Sequence, residues 1–222
     1  MLLAIDTSTA QMGLALYDGA SVHAELAWIL KARHTVELAP ALAGLLARAG
    51  QHMRSLTALG IAIGPGSFTS LRVGLAFAKG LALARKLPLI GVPTLDVAAA
   101  AVPLQSRPLA VVIQAGRTRV AVGWYQAGED RWQTRGPART MTVDELAESI
   151  RQPTLVVGEL GAEERQRLAR KRVNVHLLSP ARSIRRPALL AELAWERFQH
   201  GRLDETASLA PIYLHTEGGA PI

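Results

Sequence analysis

The residues best suited to binding chemistry form one segment, 64–74, which reads Gly-Pro-Gly-Ser-Phe-Thr-Ser-Leu-Arg-Val-Gly. Gly64, Pro65 and Gly66 predict a sharp turn that leaves several backbone N–H groups free. Ser67 is the kind of residue that caps a following helix. A strand, a glycine turn and a helix N-terminus together can bind an anion or the backbone of a partner. A tight βα turn without a ligand explains the same residues equally well.

Several common chemistries have no support in the sequence. No Gly-Lys-Ser/Thr follows the turn, and no G-x-G-x-x-G fingerprint occurs, so neither familiar nucleotide loop is present. There is no H-E-x-x-H motif of a metalloprotease, and no Ser/His/Asp set can be singled out. The absence of cysteine excludes disulfides, thiol nucleophiles and thiolate metal sites, and it is typical of a cytoplasmic protein.

Charge and histidine placement restrict the partners further. The net charge is +7, with arginine-rich runs at 165–172 and 182–186. Such runs attract polyanions, but a solvated surface explains them better, because no aromatic residues interleave with them. No two of the six histidines are three or four residues apart, so we predict no metal site. The apolar start ends at Asp6, too early for a signal peptide or a membrane span, so we expect no membrane partner.

The first half of the chain alternates strands and helices. Short apolar runs predict strands at 2–6, 12–18, 22–30, 59–63 and 89–92. Asp18-Gly19 is a hairpin signal between the second and third strands. Leucines at helical spacing predict a helix over 35–49, and a second, longer helix is predicted over 67–86. A short alanine-rich helix is expected from Thr94.

The second half repeats this order. Strands are predicted at 109–114, 118–125, near Trp132, at 154–158 and at 173–178, and helices at 142–151, 162–171 and 184–200. The order βββαβα thus occurs twice, which predicts an α/β fold with two mixed sheets covered by helices. We place the boundary near Pro103–Pro108, with one lobe at 1–104 and a smaller one, including the last helix, at 105–222. A cleft between two such lobes is a usual place for ligands.

The long helix carries small residues in two stripes, each at four-residue spacing: Gly74, Ala78 and Ala82, and Ala76, Gly80 and Ala84. Glycine inside a helix costs about 1 kcal/mol relative to alanine, so two retained glycines indicate close packing. One stripe is expected to face the sheet of its own lobe, which leaves the other for a neighbouring chain. The alternative is that both stripes serve the internal core.

Five motifs together resemble the TsaB (YeaZ) family: Ile5-Asp6-Thr7-Ser8, Leu16-Tyr17-Asp18-Gly19, the 64–69 turn, 72–74 with 78–82, and 88–92. The tail Leu209-Ala210-Pro211-Ile212-Tyr213-Leu214 also fits the family. The resemblance is dense over residues 1–100 and thinner over 105–215. It implies the actin/Hsp70/sugar-kinase (ASKHA-like) fold, which agrees with the duplicated pattern.

The resemblance also implies a function. It suggests a noncatalytic scaffold subunit that pairs with TsaD, alongside the ATPase TsaE, for threonylcarbamoyl transfer to the adenosine beside the anticodon of ANN-decoding tRNAs. The chain would form a homodimer when alone and would meet tRNA indirectly, through the complex. The implied interface is a bundle built from the two helices of the first lobe: Leu38, Leu42, Leu45, Leu71, Arg72, Gly74, Leu75, Ala76, Lys79 and Gly80.

The same resemblance argues against an active site of this chain's own. TsaD-like proteins carry two metal-binding histidines where this chain has Thr94 and Ala98. Asp6, Thr7 and Ser8 remain as a vestigial phosphate loop, but Gln114 stands where the second lobe often has Asp. We therefore expect no cofactor on this chain alone, and at most weak ATP or ADP binding at the lobe cleft or the partner interface. Asp6 as a cap on the hairpin turn is an equally good explanation.

Two other functions are kept as alternatives. A small-molecule kinase or acyltransferase of the same fold would use Asp6 as its base and would bind ATP and Mg²⁺ tightly without a partner. An RNA-binding module would use the basic runs, and charge reversal at Arg185 and Arg186 would then abolish binding.

Overall fold

The computed structural model describes residues 1–30, 33–116, 118–170 and 173–214. The ends of the predicted 162–171 helix and of the 165–172 basic run, residues 171 and 172, lie outside these ranges. The chain forms two compact units. The first contains Met1–Val97 and Arg186–Ile212, and the second contains Ala98–Arg185 together with Tyr213 and Leu214.

The first unit is built on a five-stranded sheet in the order β3-β2-β1-β4-β5. Strand β1 is antiparallel to β2 and parallel to β4, so the sheet is mixed. The strands are β1 (Leu2–Asp6), β2 (Gln11–Tyr17), β3 (Val22–Ile29), β4 (Ala58–Ala62) and β5 (Leu89–Val92). The helices that follow in this half are α1 (His34–Arg48), α2 (Phe68–Arg85) and α3 (Thr94–Ala100).

Both faces of this sheet are covered, as the uninterrupted burial of β1 and β4 requires. Helices α1 and α2 pack on one face through a core that includes Leu3, Ile5, Leu14, Leu38, Leu42, Leu45, Leu46, Leu75 and Ala78. On the other face lies α6 (Pro187–Gln199), whose Leu190, Ala191 and Ala194 contact Leu2, Ala4 and Ala15. Gly60 permits this close approach, because an added Cβ would lie 2.6 Å from the Ala194 Cβ.

The position of α6 corrects the predicted lobe boundaries. The prediction put the last helix in the second lobe, 105–222, but α6 belongs to the first unit. Its apolar side covers the sheet face opposite α1 and α2, in a cluster that also contains Val97 of α3. The boundary between the units also comes inside α3, after Val97, rather than at 104.

The second unit repeats the strand order of the first. Its sheet has the order β8-β7-β6-β10-β11, in which each strand takes the place of its counterpart in the order β3-β2-β1-β4-β5 of the first sheet. In addition, β9 pairs with β7. The strands are β6 (Leu109–Gln114), β7 (Val120–Ala127), β8 (Trp132–Thr134), β9 (Arg139–Met141), β10 (Thr154–Gly158) and β11 (Val175–Leu177). Its helices are α4 (Val143–Ser149) and α5 (Ala162–Ala169).

The duplicated α/β fold with two mixed sheets is therefore confirmed, and β9 is the one described strand that the sequence analysis did not predict. The start of α4 is a capping box, as its sequence suggests: the Glu145 N–H donates to Thr142 Oγ1, and the Thr142 N–H donates to Glu145 Oε2 at 2.6 Å.

Candidate functional site

The glycine turn at 64–67 pairs its backbone groups within its own unit. The Gly64 N–H donates to Thr94 Oγ1 at 2.9 Å, and the Ser67 N–H donates to the Ser8 carbonyl at 2.7 Å. Gly66 lies so close to that carbonyl that an added Cβ would overlap it. Ser67 caps α2, as predicted, by accepting a long hydrogen bond from the Ser70 N–H. This geometry favours the tight βα turn over the anion site, because two of the donors are already used.

The Asp6-Thr7-Ser8 loop is closed off from solvent. The three residues are at most 1% exposed. Asp6 Oδ1 accepts from the Ser8 N–H at 2.8 Å, which is the cap on the hairpin turn that the sequence analysis considered. The Ser8 hydroxyl bonds to the Thr94 hydroxyl at 2.8 Å, and both are buried. We call Asp6, Thr7, Ser8, Gly64 and Thr94 the hydroxyl cluster. Its bonds hold β1, the turn and α3 together.

The matching strand ends of the second unit carry a charged network instead. The Gln114 side chain donates to Glu164 Oε2 at 2.8 Å, and the Gln114 N–H donates to Glu159 Oε2 at 3.2 Å. Glu159 also forms an ion pair with Arg185, whose side chain is only 1% exposed. We call Gln114, Glu159, Glu164 and Arg185 the charged cluster. Gln114 thus bonds to carboxylates in the place where a carboxylate was expected.

The two arginines considered for RNA binding each form an ion pair with a glutamate of their own unit. Arg185 is buried in the charged cluster, and Arg186 Nη2 lies 2.5 Å from Glu25 Oε2. The hydrogen bond to Glu25 and its negative charge raise the pKa of Arg186 above its usual value. Charge reversal at either position would break an ion pair within the unit, so loss of RNA binding in such a variant would not by itself indicate a contact between that arginine and RNA.

The two stripes of α2 face in opposite directions. Gly74, Ala78 and Ala82 are buried, and a Cβ on Gly74 would overlap the Thr7 hydroxyl. Ala76, Gly80 and Ala84 are exposed, and a Cβ on Gly80 would meet nothing within 4 Å. The expectation that one stripe serves the unit's own sheet is therefore confirmed, and the alternative that both do so is wrong.

This result corrects part of the predicted partner interface. Six of its residues are buried within the first unit: Leu38, Leu42, Leu45, Leu71, Gly74 and Leu75. Of these, Leu38 still lines a groove at the surface of the helix pair. Lys79 is half-buried, and its ammonium donates to the Ala207 carbonyl at 2.8 Å. Arg72, Ala76 and Gly80 are exposed, and the Arg72 guanidinium lies over the Phe68 ring at 3.6 Å.

A groove between α1 and α2 was not predicted. It is a cavity of about 550 Å³, largely apolar, with Leu38, Phe68, Val73, Ala76 and Phe77 among its lining residues. Two of the three phenylalanines in the sequence line it, which is the signal that the sequence analysis overlooked. The exposed stripe and this groove form one continuous face of the helix pair, which we call the outer α1/α2 face.

His34 lies at the start of α1 and lines the same groove. Its side chain is buried, and Nε2 has no hydrogen-bond partner in the described part of the chain. Burial lowers the pKa of His34, and this effect outweighs a hydrogen bond to the Thr9 backbone and the charge of Asp6, which both act to raise it. The imidazole is therefore held neutral against an apolar groove.

The described residues contain neither a cluster of metal-ligating side chains nor a membrane-spanning helix. Across 1–30, 33–116, 118–170 and 173–214 no group of three or more His, Asp or Glu is placed to hold a metal ion. Thr94, at one of the two positions where histidines were considered, uses its hydroxyl within the hydroxyl cluster. No helix in these ranges is long and apolar enough to cross a membrane.

The family of this chain follows from its similarity to known proteins. Residues 28–190 match the family model described as "TsaD: tRNA N6-adenosine threonylcarbamoyltransferase". The chain is 31% identical to the tRNA threonylcarbamoyladenosine biosynthesis protein TsaB of Bacillus subtilis over 71% of its length and 70% of that protein. It is 39% identical to TsaB of Escherichia coli over 42% of its length, a match that spans only 40% of that relative.

A solved structure, YeaZ from Pseudomonas aeruginosa, superposes with a TM-score of 0.78 at 24% identity, covering 96% of this chain and 99% of that one. This likeness shows the fold, and the two sheets of equivalent strand order agree with the duplicated α/β pattern predicted from the element order. The long family-model match and the identity to the Bacillus subtilis protein over most of both chains place this chain in the TsaB (YeaZ) family.

Proposed function

We propose that this chain is a noncatalytic subunit that pairs with a TsaD-like threonylcarbamoyltransferase during threonylcarbamoyladenosine synthesis in tRNA. The names of its relatives support the pathway. The observation that carries the pairing is the outer α1/α2 face, which combines exposed small residues with an apolar groove. The target would be the adenosine beside the anticodon of ANN-decoding tRNAs, and the place of action the cytoplasm.

An exposed glycine of α2 supports a contact at this face. Gly80 is exposed, and an added Cβ would meet nothing within 4 Å. Glycine at this position costs the helix about 1 kcal/mol relative to alanine. The unit's own packing does not explain this cost, whereas another helix lying directly against the backbone would. Val36 and Leu83 are 63% and 72% exposed, so apolar area is available to such a neighbour.

A TsaD-like chain is the partner we favour, because the family model of that transferase matches this chain over 28–190, a span that includes both helices. Two related chains can pair through equivalent helices, in the same way that identical chains form isologous dimers. In the absence of TsaD, a second copy of this chain would occupy the face. We further propose that the TsaE-like ATPase acts on the assembled pair, and that tRNA is bound by the complex.

The burial of Asp6 argues against the kinase or acyltransferase alternative. A catalytic base must reach its substrate, whereas Asp6 is 1% exposed and accepts the Ser8 N–H. We propose that the isolated chain binds no nucleotide tightly, and that any weak ATP or ADP binding requires the partner. Calorimetric titration of the isolated chain with ATP and Mg²⁺ tests this: we expect no micromolar binding, and its detection would favour the enzyme.

Reconstitution with TsaD of the same organism tests the pairing. We expect analytical ultracentrifugation to show a stoichiometric complex, and threonylcarbamoyl transfer to tRNA to rise when this chain is added. Ala76→Arg places a charge on the outer α1/α2 face and should abolish both. Ala162→Arg, at an exposed alanine of α5, is the matched control. Unchanged pairing of Ala76→Arg would move the interface elsewhere, and no effect of the wild-type chain on TsaD would refute the proposal.

A further inference from the structure

The second unit contains a cavity that the proposed function does not use. It has a volume of about 610 Å³, within the range of small-molecule sites. Pro108 and Thr154, which lie at the beginnings of β6 and β10, line it. The charged cluster lies at the other ends of these two strands, where Gln114 and Gly158 are. The cavity is therefore separate from the strand-end positions where the sequence analysis looked for a nucleotide.

Three arginines line this cavity: Arg135 and Arg139, from the stretch that leads from β8 into β9, and Arg151. The Arg135 N–H donates to the Trp124 carbonyl at 2.7 Å, which fixes the segment after β8 against β7. Arg139 begins β9 and pairs in register with Val122 of β7. Arg151 follows the end of α4. Hydrogen bonding of the main chain thus fixes the backbone of Arg135 and Arg139 beside the cavity, while all three arginine residues are exposed to solvent.

The charge of these arginines is not neutralised locally. None of the three forms an ion pair with another described residue, and no Asp or Glu lines the cavity. Elsewhere in the second unit, Arg119, Arg131, Arg167 and Arg185 are each paired with a carboxylate. Like charges that share a cavity repel one another, and an anion would relieve that repulsion. Guanidinium groups suit phosphate in particular, because their planar donors bind it in a bidentate manner.

The rest of the lining is apolar and includes an indole. Trp124 is half-buried: it contacts the core of the second unit, as does Met141, and both also line the cavity. Inorganic phosphate has no apolar or aromatic group that could pack against these side chains. Nucleobases, by contrast, stack on aromatic rings and on guanidinium planes, while their phosphates pair with arginine. A ligand that contacts both the arginines and Trp124 needs a phosphate joined to an aromatic ring system.

We infer that this cavity binds a nucleoside phosphate, with the phosphate on Arg135, Arg139 and Arg151 and the base against Trp124. The ligand is a free nucleotide or one unit of a single-stranded RNA, since both present the same groups. This inference rests on the cavity alone and holds whether or not the chain pairs with a TsaD-like protein. It also differs from the RNA alternative of the sequence analysis, because it uses neither Arg185 nor Arg186.

Fluorescence titration of the full chain tests the inference, with AMP, inorganic phosphate and a short oligoadenylate as probes. We expect saturable binding of AMP or the oligoadenylate, weaker for inorganic phosphate. Arg139→Glu and Arg151→Glu should each weaken binding roughly tenfold, as expected for loss of an arginine–phosphate contact. The matched control is Arg170→Glu, which makes the same charge change at an exposed position of the same unit.

Two further arms separate the outcomes. Trp124→Leu should weaken AMP more than inorganic phosphate, whereas Trp124→Phe should retain the preference; thermal melting confirms that each variant is folded. Binding of the oligoadenylate far tighter than AMP, with a steep loss in salt, would identify RNA as the source, and equal affinities would identify a free nucleotide. The inference is overturned if no probe saturates, if Arg170→Glu weakens binding as much as Arg139→Glu, or if polyglutamate binds as well as RNA.

Discussion

The hydroxyl cluster and the charged cluster occupy matching places in the two units, at the ends of the central parallel strands. Each place has a glycine with positive φ just after or at the end of its strand: Gly64 at +106° after β4 and Gly158 at +127° in β10. A Cβ on Gly64 would lie 2.6 Å from the Ile212 carbonyl, and one on Gly158 would overlap the Val112 carbonyl. The duplicated topology therefore keeps the same backbone requirement twice.

The side chains that close these two ends differ in kind. In the first unit they are buried hydroxyls and a carboxylate that caps a turn. In the second they are an amide, two carboxylates and a buried guanidinium. The comparison shows that the topology determines which strand ends need hydrogen-bonding side chains, while the type of side chain differs between the two units. Because the charged cluster contains a buried ion pair, we expect its disruption to lower the free energy of unfolding more than disruption of the hydroxyl cluster.

Breaking the charged cluster should have the largest effect. Glu159→Ala leaves Arg185 buried without this carboxylate, and we expect a loss of about 3–5 kcal/mol in the free energy of unfolding, measured by urea denaturation. Replacing both residues by leucine should recover much of that loss, since the uncompensated charge is gone. Glu163→Ala, an exposed neighbour at the start of α5, is the control. A loss below 1 kcal/mol for Glu159→Ala would show that water reaches Arg185.

A clash against the hydroxyl cluster should have the next largest effect. Gly74→Ala drives a methyl group into the Thr7 hydroxyl, which donates to the Ser70 carbonyl at 2.8 Å, and we expect a loss of about 3 kcal/mol. Gly80→Ala, on the opposite side of the same helix, should stabilise the isolated chain by about 0.5–1 kcal/mol. Equal effects of the two substitutions in thermal or urea unfolding would contradict the assignment of the two stripes.

Removing one hydroxyl should cost less than either change. Thr94→Val keeps the shape of the side chain but leaves the Gly64 N–H and the Ser8 hydroxyl without this partner. We expect a loss of about 1–2 kcal/mol in the free energy of unfolding. Thr94→Ser retains the hydroxyl and should lose less than the valine variant. If Thr94→Val were as costly as Glu159→Ala, the claim that the charged cluster is the more sensitive would fail.

Much of this fold follows from local signals. The strands β1, β4 and β5 are apolar runs bounded by turn residues, so the sequence predicts their bounds to within one or two residues. Thr142 and Glu145 have the spacing of a capping box and predict the start of α4 equally well. The two small-residue stripes of α2 are also visible. The sequence does not show which stripe faces inward, because Gly74 and Gly80 have the same local sequence signal. Only the fold places Thr7 beside Gly74.

The features that escaped prediction depend on distant segments. α6 packs on the face of the first sheet opposite α1 and α2, a placement that no local sequence pattern indicates. The cavity with Trp124 and Arg151 joins residues from three strands and a helix end, so no run of neighbouring basic and aromatic residues signals it. His34 is conspicuous only once the groove between α1 and α2 exists. Predicted interface leucines such as Leu42 and Leu45 lie in the core of the first unit, because helical periodicity marks a buried face without showing what buries it.

The smallest expected effect concerns His34, which feels the carboxylate of the hydroxyl cluster. Burial lowers its pKa in the folded chain, so the unfolded chain takes up the proton first as the pH falls. The stability that neutral His34 contributes is therefore complete above its ordinary pKa of about 6.5 and declines as the pH falls below that value. Asp18, whose pKa is held well below its usual range by the hydrogen bond to His23, changes charge only in much stronger acid.

His34→Gln removes this titration, so its free energy of unfolding should fall less than that of the wild type between about pH 7 and about pH 5. The difference in slope corresponds to at most one proton, as expected for a single histidine. His52→Gln, at an exposed histidine, should keep the wild-type slope. Parallel curves for wild type and His34→Gln in urea denaturation across this range would show that His34 titrates normally. The groove at the start of α1 would then be wet, and the outer α1/α2 face would be less apolar than its lining residues indicate.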